Sequence, residues 1–360
     1  MLAGSLLIKA GRKTIQNLFY KQGWYAVAGF TSKYQNLLVC GGVAGLITAC
    51  AAEPVDASEK KVVAQLAAPV AGSLASAPVG MPDKNSIVQP TLMADTTAIK
   101  PGTTFTLGIL YKMQPDWHIY YENPGESGFA TTVQWNLPEG ASVGETLYPA
   151  PITFESPGPV LSYGYEGETM LLAEVNLAKA PADGNVTITA KSRWLMCSDR
   201  CIPNSKELTI SLPVGDPAPA NAAQFDKYKK LVPKKAGELP DAASINATPN
   251  GSSMTYELTI TPPAGQQIVA AGESAHDAHK PFFYPAVVNG YMLQAPTVTG
   301  KKVEAGKLQV YDGPVTISWK SDPENNTAEP LKRLDGTLVY QTIADGKLQE
   351  PTLLEVGQKL

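Results

Sequence analysis

The sequence predicts an all-β protein: two immunoglobulin-like β-sandwich domains that follow an N-terminal signal or lipoprotein leader and a flexible tether. Three observations carry this expectation. Proline and glycine number 30 and 31 in 360 residues, and both residues punctuate turns between short elements. Short apolar or alternating runs recur along the chain with little helical periodicity between them, which favours antiparallel strands over βαβ units. The hydrophobic share of 44% supplies enough apolar material for real cores, and the length suits two domains.

Residues 1–36 carry Lys9, Arg12, Lys13, Lys21 and Lys33 and no acidic residue, and Leu37–Ala49 (LLVCGGVAGLITA) is almost wholly apolar or small. A basic stretch, a short apolar stretch and small residues at its end make a secretory signal. The apolar run is short for a membrane-spanning helix, which needs about 20 residues. Ile47-Thr48-Ala49-Cys50 is similar to a bacterial lipobox, in which Cys50 becomes the lipid-modified first mature residue. Ordinary cleavage nearby and an uncleaved anchor are the alternatives. The long basic region is consistent with a true start downstream of Met1. Each reading places the rest of the chain in the bacterial periplasm or cell envelope, touching membrane only through leader or lipid anchor, where disulfides can form.

Residues 51–85, rich in Ala, Pro, Val and Ser, read as a tether. The first domain is expected over 86–215, with strands at Thr103–Tyr111 (TTFTLGILY), Thr131–Trp135, Leu171–Leu177, Val186–Ala190 and Glu207–Leu212 (ELTISL). Gly215–Ala222 (GDPAPANA) reads as a linker, and Gln224–Leu231 as a short helix. The second domain is expected over 225–360, with strands at Met254–Thr261, Tyr291–Gln294, Leu308–Tyr311, Val315–Lys320 and Thr337–Ile343. A net charge of -4 with no basic stripe gives no electrostatic case for a nucleic-acid partner.

The chemistry is expected at Cys197 and Cys201, the one cysteine pair outside the leader. In Trp194-Leu195-Met196-Cys197-Ser198-Asp199-Arg200-Cys201-Ile202-Pro203 a strand-like run leads in and another follows, so a hairpin with the cysteines at its tip is expected. Cysteines facing each other across a tight turn come within disulfide range. So small a loop makes a weak staple and leaves the sandwich sheets unlinked, a position better suited to exchange than to structure. A local staple and a metal site remain open on these residues alone. A metal site needs further ligands, and the chain offers only His118, His276 and His279, so none is assigned. No cofactor is expected.

Trp117-His118-Ile119-Tyr120-Tyr121-Glu122-Asn123-Pro124-Gly125-Glu126-Ser127-Gly128, Trp135-Asn136-Leu137-Pro138-Glu139-Gly140, Tyr148-Pro149-Ala150-Pro151, Tyr163-Gly164-Tyr165-Glu166-Gly167-Glu168 and WLMCSDRCIP follow one another in order. This series resembles the periplasmic N-terminal region of the thiol:disulfide interchange protein DsbD and its copper-tolerance relatives, over roughly residues 90–215. The resemblance implies an immunoglobulin-like domain that passes reducing equivalents, with Cys197 and Cys201 on the redox pair. It implies an aromatic cap that shields the cysteines, placed at Tyr163 and Tyr165, with Trp117, Tyr120, Tyr121 and Trp194 around the disulfide. Plain core packing is the alternative for these aromatics. The implied partners are a membrane-embedded thiol reductant protein and periplasmic thioredoxin-like or disulfide isomerase proteins, and the implied settings include cytochrome c biogenesis and copper tolerance. The sequence departs from full-length relatives in ending at Leu360 without a multi-helix membrane domain or a thioredoxin-type CxxC. A reductase role is therefore expected only as a component fed by a separate protein. A binding or scaffold module with a structural disulfide, and copper handling through the two thiols, are the competing functions. Which cysteine attacks is left to the relative exposure of the two sulfurs.

Overall fold

The computed structural model describes residues 39–41, 47–49, 83–156, 160–182, 184–271, 279–287, 290–323 and 331–360. Cys50, the tether up to residue 82 and His276 lie outside the described residues. Met1–Val79 and Gly80–Leu360 are separate units. In the first, β1 (Val39–Gly41) pairs antiparallel with β2 (Ile47–Ala49). Among the described residues no helix is long and apolar enough to cross a membrane.

Among its described residues the second unit is all-β apart from two helices. Asp83 caps the four-residue α1 (Lys84–Ile87) by accepting from the Asn85 amide, and the chain then enters β3 (Val88–Ala94). The remaining strands of the first sandwich are β4 (Thr104–Met113), β5 (His118–Gly125), β6 (Thr132–Asn136), β7 (Ala141–Val143), β8 (Ile152–Ser156), β9 (Val160–Glu166), β10 (Glu168–Leu177), β11 (Asn185–Cys197) and β12 (Cys201–Pro213). One sheet runs β3-β4-β10-β7; the other runs β12-β11-β5-β9-β8, with β6 also on β11. The facing sheets enclose Leu107, Ile109, Tyr111, Leu171, Val186, Ile188, Trp194 and Met196. Tyr111 and Ser192 place one buried hydroxyl pair in that core, 2.6 Å apart, so neither polar group is stranded in apolar surroundings.

β4 is buried almost without alternation, and α2 (Ala222–Leu231) explains why. Phe225 and Tyr228 of the helix pack on Leu110, Met170 and Leu172, on the outer face of the β4/β10 pair. Both faces of these strands are therefore covered, as near-continuous apolar runs require. The helix thus packs on the outer face of the first sandwich. The expected linker 215–222 is itself bonded down. Thr97 N donates to Ala218 O, Gly215 N to Ile99 O, and Ala220 N to Asp95 O.

The second sandwich begins with β13 (Lys234–Gly237), β14 (Ala243–Asn250), β15 (Ser253–Ile260), β16 (Gln266–Ala271), β17 (Phe282–Pro285), β18 (Tyr291–Leu293) and β19 (Thr297–Thr299). It continues through β20 (Lys302–Ala305), β21 (Leu308–Tyr311), β22 (Val315–Pro323), β23 (Arg333–Tyr340), β24 (Thr342–Ala344), β25 (Lys347–Leu348) and β26 (Thr352–Lys359). Sheet β13-β26-β23-β17 faces β14-β15-β22-β18, which also carries β19, across Tyr256, Leu258, Ile317, Trp319, Phe283 and Leu338. A third sheet runs β20-β21-β16-β24-β25.

The two sandwiches share buried surface. Tyr121, Tyr163 and Tyr165 of the first join Phe282, Tyr284, Val339 and Leu353 of the second in one cluster. Tyr284 Oη donates to Pro151 O at 2.9 Å, Tyr121 Oη lies 3.3 Å from Thr337 Oγ1, and the Asn123 side-chain amide donates to Pro285 O.

Candidate functional site

β11 and β12 pair from Asn185 with Pro213 to Cys197 with Cys201, so the register brings the two cysteines opposite each other at the last rung. Ser198–Arg200 close the hairpin, with Ser198 N donating to Arg200 O at 3.1 Å. The sulfurs are bonded, and the Cα atoms are 4.2 Å apart. The row continues inward: Cys197 lies opposite His118 on β5, and His118 opposite Glu166 on β9. Residues opposite one another share a face, and neighbours along a strand alternate. Cys201, Cys197, His118, Leu195 and Tyr120 therefore occupy the outer face of the sheet. Met196, Ile119, Tyr165 and Trp194 point into the sandwich.

The exposure of the two cysteines differs sharply. Cys201 is exposed, whereas Cys197 is 2% exposed beneath Tyr120 and Leu195. Alternation along β11 breaks at this end, where Leu195 and Cys197 are buried although they face outward. The cover is Tyr120 and the loop following β5. A Cβ added to Gly128 would lie 2.2 Å from the Tyr120 ring, so the backbone, at φ +101°, rests directly on the aromatic face. Only glycine combines that approach with that backbone angle. Gly164, opposite Tyr120, serves a similar need, since a Cβ there would meet Ile119 O at 2.1 Å.

Tyr120 Oη lies 4.0 Å from Cys201 Sγ and 3.3 Å from His118 Nε2. Phe154 of β8 stacks on His118, with ring centroids 4.4 Å apart at 17°. Burial holds the His118 imidazole below its usual range, favouring the neutral ring. Burial also raises the Tyr120 hydroxyl, opposed by its hydrogen bond with Ser127.

Of the six aromatic residues expected around the disulfide, the register brings Tyr120 to it. Tyr163 and Tyr165 do not form the expected cap. Their β9 positions alternate onto the inner face, where Tyr163 meets Phe282 and Tyr284 edge-on, and Tyr165 donates to Pro149 O at 2.7 Å. Tyr121 joins the same inter-sandwich cluster, Trp117 packs partly buried against it, and Trp194 meets Tyr111 edge-on in the core. Phe154 and the cover loop went unrecognised in the sequence; the Gly-Glu-Ser-Gly turn after the Trp-His-Ile-Tyr-Tyr run is the signal that marks the loop. His118 is at the site as a neighbour of the disulfide. Among the described residues no group of three or more His, Cys, Asp or Glu is placed to hold a metal ion.

The histidines give the fold a pH dependence of definite sign. Burial depresses both His118 and His279. Below about pH 6.5 the unfolded chain takes up protons that the native state resists. Stability is thus complete above that pH and falls as the solution is acidified, before the carboxylates titrate. Urea midpoints measured from pH 8 to 5 should fall on acidification, and His118→Gln should flatten that decline.

The family model described as thiol:disulfide interchange protein DsbD, N-terminal, matches residues 84–213. No curated protein matches the chain. Among solved structures, the N-terminal periplasmic domain of ScsB from Proteus mirabilis is 20% identical, covering 78% of this chain and 95% of that one, with a TM-score of 0.49. A protein of unknown function from Porphyromonas gingivalis W83 is 9% identical over 76% and 100% of the two chains, with a TM-score of 0.21. The collagen adhesin CNA from S. aureus is 9% identical over 75% and 92%, with a TM-score of 0.16. All three scores are below 0.5, and the fold assignment rests on strand order and register. Over residues 84–213, which contain the Cys197–Cys201 hairpin, the chain matches the DsbD N-terminal family that its motifs resemble.

Proposed function

We propose that the Cys197–Cys201 hairpin is a thiol–disulfide exchange centre of the bacterial periplasm, passing reducing equivalents between a membrane-embedded thiol reductant and thioredoxin-like or isomerase partners. The unequal exposure of the two cysteine residues carries this reading. Exchange needs one reachable sulfur that forms the mixed disulfide and a second that resolves it. Cys201 is exposed at the hairpin end, and Cys197 is buried beside it. Cys201 is therefore the attacking thiol and Cys197 the resolving one. The leader and the family match support the periplasmic placement, with Cys50 as the proposed lipid anchor.

A structural staple accounts less well for the pair. The sequence separation is 4, and closing so small a loop contributes about 2 kcal/mol in the chain-entropy model, against about 4.7 for a 100-residue loop. Twelve further rungs already fix the hairpin register without it. Reduction is expected to lower the unfolding free energy by about 2 kcal/mol or less, leaving the sandwich folded in urea titrations.

Trapping tests the assignment. Reduced Cys197→Ser protein, mixed with a disulfide-form thioredoxin-like protein, should accumulate a mixed disulfide whose linked peptide contains Cys201. Cys201→Ser protein should accumulate none. Equal trapping by the two variants, or trapping by neither, contradicts the assigned roles.

A further inference from the structure

The outer face of the redox sheet carries a polar chain that thiol exchange by Cys201 alone does not require. His118 Nε2 lies 3.3 Å from Tyr120 Oη, which lies 4.0 Å from Cys201 Sγ. Three elements fix this chain. Cys197 stands opposite His118 in the sheet, Phe154 stacks on the imidazole, and Gly128 lies flat on the Tyr120 ring. Such immobilisation suits groups that must keep one geometry.

We propose that His118 is a positioning residue that accepts the Cys201 thiol proton through the Tyr120 hydroxyl, so that Cys201 becomes a thiolate near neutral pH. The inference rests on the exchange reading and deepens it. In the reduced hairpin the Cys201 Sγ–H proton passes to Tyr120 Oη as the Tyr120 proton passes to His118 Nε2. One S–H and one O–H bond break; one O–H and one N–H bond form. The products are a Cys201 thiolate, an unchanged phenol and an imidazolium. The thiolate then attacks a partner disulfide, forming the Cys201–partner bond and expelling the partner's second sulfur as a thiolate. That leaving thiolate takes up a proton, returned from His118 by way of solvent. Cys197, giving its own proton to solvent, attacks Cys201 Sγ and releases the partner's first sulfur, which is protonated in turn. Two electrons pass from the Cys197/Cys201 dithiol to the partner disulfide.

The surroundings suit a ring that cycles through a charge. Burial keeps the resting imidazole neutral and by itself disfavours the imidazolium, so proton acceptance depends on a countercharge at the ring. Glu166 on β9 is in register with His118 and offers a countercharge when the imidazolium forms. Cys197 on β11, Phe154 on β8 and Tyr120 also lie beside the ring. Around the relay's other end, Ser127 meets the Tyr120 hydroxyl, and Asp199 and Arg200 flank Cys201 with opposite charges. A thiolate–imidazolium pair linked in this way titrates as a unit.

The test is the pH dependence of alkylation of Cys201 in the reduced full chain, followed by iodoacetamide labelling and peptide mass spectrometry, which separates Cys201 from the other cysteines. The wild-type midpoint is expected below the ordinary thiol value of about 8.5. His118→Gln and Tyr120→Phe should each move it upward and slow labelling at pH 7 by about tenfold, one unit of midpoint being tenfold in thiolate. The double variant should lose no more than either single one, because both act along one path. Tyr120→Phe keeps the ring under Gly128 and guards against a folding defect in the histidine variant. Unmoved midpoints in both single variants, or losses that multiply in the double variant, would overturn the relay. Dithiothreitol reduction of the same samples separates the two ideas. If the pair reduces readily and the midpoints stay put, the relay fails while exchange stands; if the pair resists reduction, the exchange reading fails as well.

Discussion

Serine in place of Cys201 is expected to abolish turnover of a disulfide substrate, leaving only the rate of the buffer thiols. Cys197→Ser should react once and stop. Nothing else in the hairpin can substitute for the exposed sulfur. Cys197 is 2% exposed under Tyr120 and Leu195, and a disulfide must approach the attacking sulfur in line. Stopped-flow assays with a small aromatic disulfide would measure both variants. A Cys201→Ser protein that retains a substantial fraction of the wild-type rate would show that Cys197 becomes accessible.

The second large effect lies between the sandwiches. Tyr284 is buried, with its ring 4.7 Å from Phe282 and 5.1 Å from Tyr163 and its hydroxyl bonded to Pro151 O. Truncating a buried aromatic costs about 3–5 kcal/mol, and Tyr284→Ala also leaves the Pro151 carbonyl unpaired. In a fold of this size the expected fall in melting temperature is roughly 10 °C, with the single transition separating into two as the sandwiches uncouple. Tyr284→Phe keeps the ring and should lose only about 1 kcal/mol. Calorimetry distinguishes these outcomes, and a Tyr284→Ala transition within two degrees of wild type would contradict the shared-core account.

The same register that builds the inter-sandwich core explains what the sequence disclosed and what it withheld. The all-β class was legible because strands such as β11 alternate along most of their length: Val186, Ile188, Ala190, Ser192, Trp194 and Met196 all turn inward. The cysteine hairpin was legible because such alternation flanks it on both sides. Facing was not legible. Tyr163, Tyr165 and Tyr121 were expected about the disulfide, but the rung pairing His118 with Glu166 puts all three on the opposite face. A one-residue change of register reverses every side chain, and motif proximity carries no register. Phe154 escaped notice because β8 is a short edge strand reached through Pro149 and Pro151, a setting that reads as loop. The segment 215–222 reads as a linker by composition, yet its backbone groups bond to residues 95–99. Composition reports what a segment can tolerate, and only pairing reports where its donors go.

The outward row and the inward tyrosine cluster are two sides of one sheet. One side presents Cys201 to solvent with Cys197 beneath Tyr120. The other anchors the sheet to the second sandwich, a rigid backing for the site.

The most direct test of the exchange assignment is the reduction potential of the Cys197–Cys201 pair. The full chain would be equilibrated in glutathione or dithiothreitol buffers, quenched with a mass-shifting alkylator and read at the peptide holding both cysteines. A midpoint between about -120 and -270 mV, the range of exchange proteins, is the predicted result. A pair that remains oxidised below about -300 mV would contradict the account and make the disulfide a structural one.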